Sequence, residues 1–440
     1  MKRFILLISD LAMLTGALWI TLSLRYQPRV FDYQLGLHAK PFAVIFLFWI
    51  LAFYITNLYE GRSLRNTLEF YSNLLRAGVF ATLLSIAFFY LTPSLVITPR
   101  ANLALFSLIF AGLIIISRFL LNRVFARQSK KSIVVTGITP QSRELAEYIK
   151  TNPQLGYAVA SMIDIQNTDD IRMLKSLITQ GTVDMVVISP EAYHMPNLID
   201  LFYKSLEHRV AFQNLASFYE AVTGRVPLGA IDQVWFLENL TENSKRAYEI
   251  AKRISDIILA FFLGIPFLLV YPFLALAIKI SSPGSVFYRQ RRMGQNGHTF
   301  EIIKLRSMRL DAEANTGAVW ARDNDPRVTP LGRFLRTSRI DEFPQLWNIL
   351  KGEMSFVGPR AERPEFHERL KTGVPFYEER YLIKPGLSGW AQINYPYGAS
   401  VADAAQKLQY DLYYIKHRSL ILDLGIILRT INISVRHAGR

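Results

Sequence analysis

The amino-acid sequence predicts a membrane protein of mixed α and α/β class. We expect a four-helix transmembrane bundle, a Rossmann-like parallel-sheet domain, and a mostly helical C-terminal domain that carries a re-entrant membrane helix. Three observations predict this organisation. Four long apolar stretches lie in residues 1–125, and strand and helix patterns alternate through residues 131–237. Residues 245–440 form the last domain, and its segment 252–280 contains an uncharged run with basic residues on both sides.

The N-terminal apolar stretches each have nearly the length that crosses a bilayer; they are Phe4–Leu24, Phe42–Leu58, Leu74–Leu91 and Leu103–Leu121. A signal peptide is the alternative for the first stretch, but Asp10 interrupts it and no small-residue cleavage site is evident. With the N-terminus inside, the inner segments hold ten Lys and Arg residues and the outer segments hold four. The positive-inside rule therefore places the N-terminus and the segment after the fourth stretch in the cytosol.

The segment 131–237 shows the alternation that is typical of a parallel sheet. Strands are expected at Ser132–Thr136, Ala158–Ile163 and Met185–Ile188, and helices at Arg143–Lys150 and Ile171–Ile178. The first turn contains a single glycine, Gly137, instead of the Gly-x-Gly-x-x-Gly loop that binds dinucleotides. A structural or regulatory role is therefore favoured over cofactor binding.

The uncharged run Ile257–Ile278 is long enough to span a membrane. Basic residues flank it on both sides, so the positive-inside rule places both of its ends in the cytosol. Pro266 and Pro272 lie within the run and can bend a helix. A helix that enters the membrane, turns and returns to the same face satisfies these observations better than a spanning helix.

Two adjacent carboxylates, Asp341 and Glu342, precede an apolar helical pattern. Pro344 suits the first helical position and Gly352 a helix end, so both acids are expected at a helix N-terminus, where the helix dipole keeps them ionised. Such a pair can hold Mg²⁺, and one member can attack phosphorus. Several arginines surround it in sequence, as suits a phosphate ester. The alternative is an ordinary capping acid followed by a first-turn acid.

The remaining composition and patterns narrow the chemistry. The net charge of +15 predicts an anionic partner, which could be a phosphate-bearing substrate, a membrane surface or nucleic acid. The absence of cysteine excludes disulfides, thiolate catalysis and cysteine-based zinc sites. Strands are expected at Val286–Tyr288 and Thr299–Lys304, and a helix at Leu420–Val435. The segment Lys384–Gly389 is expected to be a plain turn or a phosphate-binding one.

Several motifs in the C-terminal part resemble those of the bacterial sugar transferases, the monotopic polyprenyl-phosphate phosphoglycosyl transferases. They are SPGSVFYRQ (282–290), KLRSM (304–308), DEFPQL (341–346), KGEMSFVGPR (351–360), KPGLSGWAQ (384–392) and YDLYY (410–414). The preceding bundle and sheet domain resemble the long form of the family. The segment 394–400 is similar to the exopolysaccharide-initiating branch.

The resemblance implies transfer of a sugar-1-phosphate from a UDP-sugar to undecaprenyl phosphate, with release of UMP and no role for nucleic acid. It implies that Asp341 is the nucleophile and that Glu342, with Asp341, binds Mg²⁺. By the same resemblance, Arg336 and Arg360 match positions that family members use to hold phosphate. The motifs place further candidate phosphate or substrate contacts at Lys304, Arg306, Lys384, Gly386 and Gln392. The expected protein is a homodimer in the bacterial inner membrane, with its catalytic domain on the cytosolic face.

The chain departs from the family pattern at its apolar run, where Pro266 and Pro272 stand in place of a Ser-Pro break. Two other functions remain as alternatives. A non-catalytic membrane scaffold for polysaccharide assembly would not need the intact acid pair. A nucleotide-sugar oxidoreductase or epimerase would need the phosphate loop that Gly137 alone does not supply.

Overall fold

The computed structural model describes residues 2–60, 64, 66–92, 99–127, 130–240, 245–309, 327–395, 398 and 400–435. The chain divides into two compact units, Met1–Gln213 and Asn214–Arg440. The first unit holds the N-terminal helices and most of the parallel sheet. The second begins well before residue 245, because the segment from Asn214 onward packs into the C-terminal domain.

Four long apolar helices open the chain: α1 (Lys2–Arg25), α2 (Phe31–Ile55), α3 (Leu68–Leu91) and α4 (Pro99–Arg127). All four are long and apolar enough to cross a membrane, as predicted. Aromatic side chains fill the space between them, with Trp49 and Phe110 in edge-to-face contact at 4.7 Å between ring centroids. The Arg118 guanidinium pairs with the Asp10 carboxylate at 2.6 Å, so the two charges on α4 and α1 are buried together.

The sheet domain alternates strands and helices in the predicted order: β1 (Lys131–Thr136), α5 (Pro140–Thr151), β2 (Tyr157–Ile163), α6 (Thr168–Thr179) and β3 (Met185–Ile188). A third helix, α7 (Pro196–Lys204), follows and has no counterpart in the prediction. A fourth strand, β4 (Ala211–Asn214), was not predicted. The strand order is β2-β1-β3-β4, and β1 pairs in parallel with both neighbours. Strand β3 is buried throughout and β1 is buried from Ile133 to Thr136, which explains the apolar runs Met185–Ile188 and Ile133–Val135.

The segment after the sheet forms two short helices, α8 (Leu215–Thr223) and α9 (Gln233–Asn239). The predicted sheet domain extends to residue 237, but these helices pack within the second unit. Val226 and Trp235 are buried in its hydrophobic core. The Trp390 indole N–H also donates to the Gly224 carbonyl at 2.9 Å. Such long-range contacts leave no local signal in the sequence.

The apolar run forms a single helix, α10 (Arg246–Ser281), which continues through Pro266 and Pro272. Both halves of α10 contact the same unit. In the first half, the Lys252 amine pairs with the Asp423 carboxylate at 2.8 Å. In the second half, the Tyr271 ring stacks on Phe287. Many apolar side chains between these contacts are exposed, as a membrane-facing surface requires.

A hairpin follows, made of β5 (Phe287–Met293) and β6 (Thr299–Leu305) in antiparallel register. The first strand is longer than the predicted Val286–Tyr288, because its charged stretch 289–292 pairs along β6. The helices α11 (Pro330–Thr337) and α12 (Leu346–Lys351) come next, followed by β7 (Ser355–Val357) and α13 (Pro364–Gly373).

The end of the chain forms β8 (Gly386–Ser388), α14 (Trp390–Asn394), α15 (Val401–His417) and α16 (Leu420–Val435). Strand β8 pairs in parallel with β7. The prediction of a turn at Lys384–Gly389 is therefore wrong for its central residues. Glycine is needed at Gly386 because a Cβ there would lie 2.0 Å from the Gly358 amide nitrogen. Part of the motif at 394–400 lies outside the described residues.

Candidate active site

The acid pair lies in a 3₁₀ helix, Ile340–Gln345, which leads directly into α12. The prediction of an α-helix starting at Pro344 is wrong in this detail. Pro344 has no N–H to donate to the Ile340 carbonyl, so the α-helical bonding begins only after it. Arg339, the residue before the 3₁₀ helix, has a positive φ of 54° and turns the chain sharply into that helix. Asp341 is 6% exposed, so the pair is presented from a largely buried position.

Cations from three different elements converge on the acid pair. The Lys304 amine of β6 contacts a Glu342 carboxylate oxygen at 2.8 Å. The Arg360 guanidinium, just after β7, lies 3.8 Å from the same oxygen. Arg336 of α11 lowers the pKa of Asp341 together with these two cations. The structure therefore brings together five of the predicted site residues.

The two carboxylates differ in their electrostatic environment. Burial and the neighbouring Glu342 charge raise the pKa of Asp341 to about 6, against the opposing effect of the cations. Burial also disfavours ionisation of Glu342, but Lys304, Arg360 and Arg339 outweigh it and lower its pKa to about 2. Burial and neighbouring charges therefore shift the two pKa values in opposite directions, whereas the sequence predicts a common environment at a helix N-terminus. Glu342 is a fixed anion, whereas Asp341 is a more basic carboxylate that is still mainly ionised at neutral pH.

Arg336 is held by the contact between α11 and the segment that follows β6. Its guanidinium Nε donates to the Ser307 hydroxyl at 2.9 Å. A Cβ at Gly332 would lie 1.9 Å from the Ser307 carbonyl oxygen, so only glycine allows α11 to approach this closely. The side chain of Thr329 caps α11 by accepting from the Gly332 amide.

The other four predicted site residues have different surroundings. Arg306 donates to the carbonyls of Ser282 and Pro283, and so holds the turn after α10. The Lys384 amine and the Arg253 guanidinium both lie beside Gly352. Burial and the positive charge of Arg253 lower the pKa of Lys384. The Gly386 amide donates to the Pro359 carbonyl, so this amide is not free to bind a phosphate. Gln392 donates to the Leu387 carbonyl at 3.5 Å.

Two arginines outside the predicted site, the buried Arg380 and the partly buried Arg292, hold the loop carrying Arg360. The Arg380 guanidinium donates to the Arg360 carbonyl and pairs with Asp411 at 2.9 Å. Arg292 donates to the Ala361 carbonyl at 3.1 Å. These contacts join residues far apart in the chain, and nothing distinguishes these arginines from the many others in the sequence.

The site adjoins the apolar helix α10. The ring of Phe343, the residue after the acid pair, lies 5.4 Å from the ring of Phe267 between centroids. Phe267 is near the middle of α10, where exposed apolar side chains are concentrated. The acid pair is therefore close to the surface that would contact lipid.

The protein carboxylates of this site could bind Mg²⁺ only together with oxygen atoms of a bound ligand. Within the described parts of the chain, no group of three or more Asp, Glu, His or Cys side chains could hold a metal. Mg²⁺ commonly binds one or two carboxylates together with substrate phosphates. Asp341 and Glu342 supply that number of carboxylates.

Comparison with known proteins gives two family matches. The model of the bacterial sugar transferase family matches residues 247–437, and that of a CoA-binding domain matches residues 54–190. The first match contains the whole acid-pair site. The second covers α3, α4 and the first three strands of the sheet domain.

Curated relatives have related names. The chain is 41% identical over 221 residues to a UDP-N-acetylgalactosamine-undecaprenyl-phosphate N-acetylgalactosaminephosphotransferase of Aeromonas hydrophila, covering 48% of this chain and 49% of that protein. It is 44% identical over 144 residues to a putative undecaprenyl-phosphate N-acetylgalactosaminyl 1-phosphate transferase of Bacillus subtilis, covering 32% and 78%. It is 28% identical over 453 residues to a UDP-glucose:undecaprenyl-phosphate glucose-1-phosphate transferase of Klebsiella pneumoniae, covering 97% and 95%. The chain thus spans about half of the Aeromonas relative.

The first turn of the sheet domain does not fit the phosphates of CoA. The Thr139 amide donates to the Ser142 hydroxyl, and the Ser142 amide donates to the Thr139 hydroxyl, so α5 caps its own N-terminus. Pro140, between them, has no N–H to offer. A Cβ at Gly137 would lie 2.5 Å from the Ser189 hydroxyl and 3.6 Å from the Glu191 carboxylate, so the turn is both closed and adjacent to an anion.

Proposed function

This chain belongs to the bacterial sugar transferase family, and on that basis we propose that it transfers a sugar-1-phosphate from a UDP-sugar to undecaprenyl phosphate and releases UMP. The acid pair carries the proposal. A buried carboxylate of raised pKa stands beside a second one that is fixed as an anion by Lys304 and Arg360. A non-catalytic scaffold would not need these buried charges, whose removal from water costs free energy.

The proposed reaction has two displacements at the sugar-linked phosphorus. An Asp341 carboxylate oxygen attacks this phosphorus, the bond to the bridging oxygen breaks, and UMP leaves with the electron pair. A phosphate oxygen of the lipid then attacks the same phosphorus and breaks its bond to Asp341. The carboxylate is regenerated and the sugar is left on a lipid diphosphate.

The surrounding cations suit the charges of these displacements. Arg336 and Arg360 reach the acid pair from different elements and are able to contact phosphate oxygens on either side of it. Lys304 and Arg360 lower the pKa of Glu342 and so favour its ionised form. Mg²⁺, held by Glu342 and Asp341 with diphosphate oxygens, would neutralise negative charge on the phosphates when bound.

We propose that α10 is re-entrant and that the N-terminal helices α1–α4 form a bundle that crosses the inner membrane. Support for re-entry comes from the contacts that both halves of α10 make with one folded unit. A straight spanning helix would place Phe267 near the bilayer centre, with the charged pair close beside it. Re-entry instead keeps the acid pair at the cytosolic interface, where a soluble UDP-sugar and a lipid phosphate can meet.

A homodimer is part of this proposal, and crosslinking in membranes tests it.

The purified full chain, reconstituted in lipid nanodiscs, tests the proposed function. UMP release should require a UDP-sugar and undecaprenyl phosphate together, and EDTA should abolish it. A panel of UDP-sugars then identifies the sugar. UMP release at the same rate without the lipid acceptor, or none with any UDP-sugar tested, would contradict the proposal.

A further inference from the structure

Asn348 lies on α12, six positions after Glu342, and is fully buried. Its side chain reaches across to β6, the strand that carries Lys304. The Asn348 amide nitrogen donates to the Glu301 carbonyl at 2.7 Å. Its side-chain oxygen accepts from the Ile303 amide at 3.3 Å. One side chain therefore makes two hydrogen bonds to the strand backbone, as a neighbouring strand would.

The second amide hydrogen of Asn348 is also used. It donates to the Glu353 carboxylate at 2.7 Å, so both N–H groups and the oxygen of the side chain have partners. A buried amide with all of these bonds holds a single orientation. Aspartate in the same place would lose both donors and would face the Glu353 carboxylate.

We propose that Asn348 is a positioning residue that fixes Lys304 against Glu342; this inference rests on the proposed function. The acid pair and Asn348 lie on one continuous helical segment, the 3₁₀ helix and α12. Lys304 immediately follows Ile303, whose amide is bonded to Asn348. The helix and the strand are thus joined at two places, by the Asn348 amide and by the 2.8 Å contact between Lys304 and Glu342.

A double-mutant cycle tests the proposal in the nanodisc assay. Asn348→Ala should lower kcat by on the order of 100-fold, as for a small misplacement of a charged group. In a Lys304→Met background, the same substitution should lower kcat by no more than about threefold, because the group that Asn348 positions is already absent. If the factors by which the two single substitutions lower kcat multiply in the double variant, the proposal is overturned. Asn348→Asp should behave like Asn348→Ala, and melting temperatures show whether each variant is folded.

A second measurement is independent of turnover. Acetylation of Lys304 by a water-soluble acylating reagent, read by mass spectrometry, should increase several-fold in Asn348→Ala relative to the exposed Lys351. Unchanged labelling in a folded variant would overturn the positioning role even if the chain releases no UMP. Absence of UMP release from the unsubstituted chain, with increased labelling in Asn348→Ala, would instead reject the proposed function and leave the positioning of Lys304 supported.

Discussion

Replacing Lys304 by Met should move the acid limb of the activity profile to higher pH. Lys304 lies 2.8 Å from Glu342, and the two side chains are only 18% and 13% exposed. An ion pair close to this separation is worth on the order of 4 kcal/mol at an effective dielectric constant of about 20. Because one pKa unit corresponds to about 1.4 kcal/mol, loss of the cation can raise the pKa of its partner Glu342 by roughly 1 to 3. The pKa of the adjacent Asp341 should shift in the same direction, because Lys304 also lowers it.

The sign of the effect follows from the role of Asp341. It reacts as the carboxylate, and its pKa is raised to about 6 by burial and by Glu342. Lys304 is one of the cations that oppose this rise. Without Lys304 the pKa of Asp341 rises, so kcat/KM should begin to fall at higher pH than in the unsubstituted enzyme. Because Asp341 and Glu342 interact, the apparent pKa read from the acid limb describes the pair of carboxyls and not one of them alone. Glu342 should remain ionised near neutral pH, since its own pKa starts from about 2.

The assay is the initial rate of UMP release measured from acidic to neutral pH. Lys351→Met is the matched control, because it removes the same charge from an exposed position at the end of α12. Its acid limb should coincide with that of the unsubstituted enzyme. A Lys304→Met limb that coincides as well would refute the assignment of Lys304 as the cation that controls the acid pair.

Three further predictions concern the metal, the domain boundary and the topology. Glu342→Gln should lower kcat by at least about 100-fold and weaken the dependence on Mg²⁺, as shown by a Mg²⁺ titration; an unaltered titration would contradict its role. A fragment starting at Asn214 should release UMP. A fragment starting at Glu242 should melt at a lower temperature than the first, because it lacks the segment 214–240. Equal melting temperatures would contradict this boundary. Single cysteines at Arg246 and His298 should both react only with a reagent applied from the cytosolic side, and periplasmic labelling of His298 would reject re-entry.

Much of the fold was predictable because periodicity and length are local properties. The four apolar helices and the strands β1, β2 and β3 follow directly from continuous hydrophobicity and from the breaks between the elements. The glycines of the segment 384–389 predict a turn and conceal strand β8, whereas Gly386 is required by the close approach of Gly358. The packing of the segment 214–240 depends on partners distant in sequence, and no local pattern reveals it.

The candidate site was predictable in its residue types but not in its geometry. The motif around Asp341 and Glu342 identified the acids, and basic residues near them were evident. The pairing of Lys304 with Glu342, and the resulting opposite pKa shifts, depend on a contact between β6 and the 3₁₀ helix. The hydrogen bond that the buried Asn348 amide donates to the Glu353 carboxylate is likewise not evident in the sequence.

Attachment of the phosphosugar to Asp341 is tested most directly by trapping it. The full chain is incubated with a UDP-sugar labelled in the β-phosphate, without lipid acceptor, and the protein is then digested and mapped. The label should remain on the peptide containing Asp341, be released by hydroxylamine as an acyl phosphate is, and transfer to undecaprenyl phosphate when this is added. Asp341→Asn should retain no label and lose several orders of magnitude in turnover, whereas the exposed control Glu368→Gln should match the unsubstituted chain. No trapped label, together with kinetics that require both substrates bound at once, would contradict a covalent intermediate on Asp341.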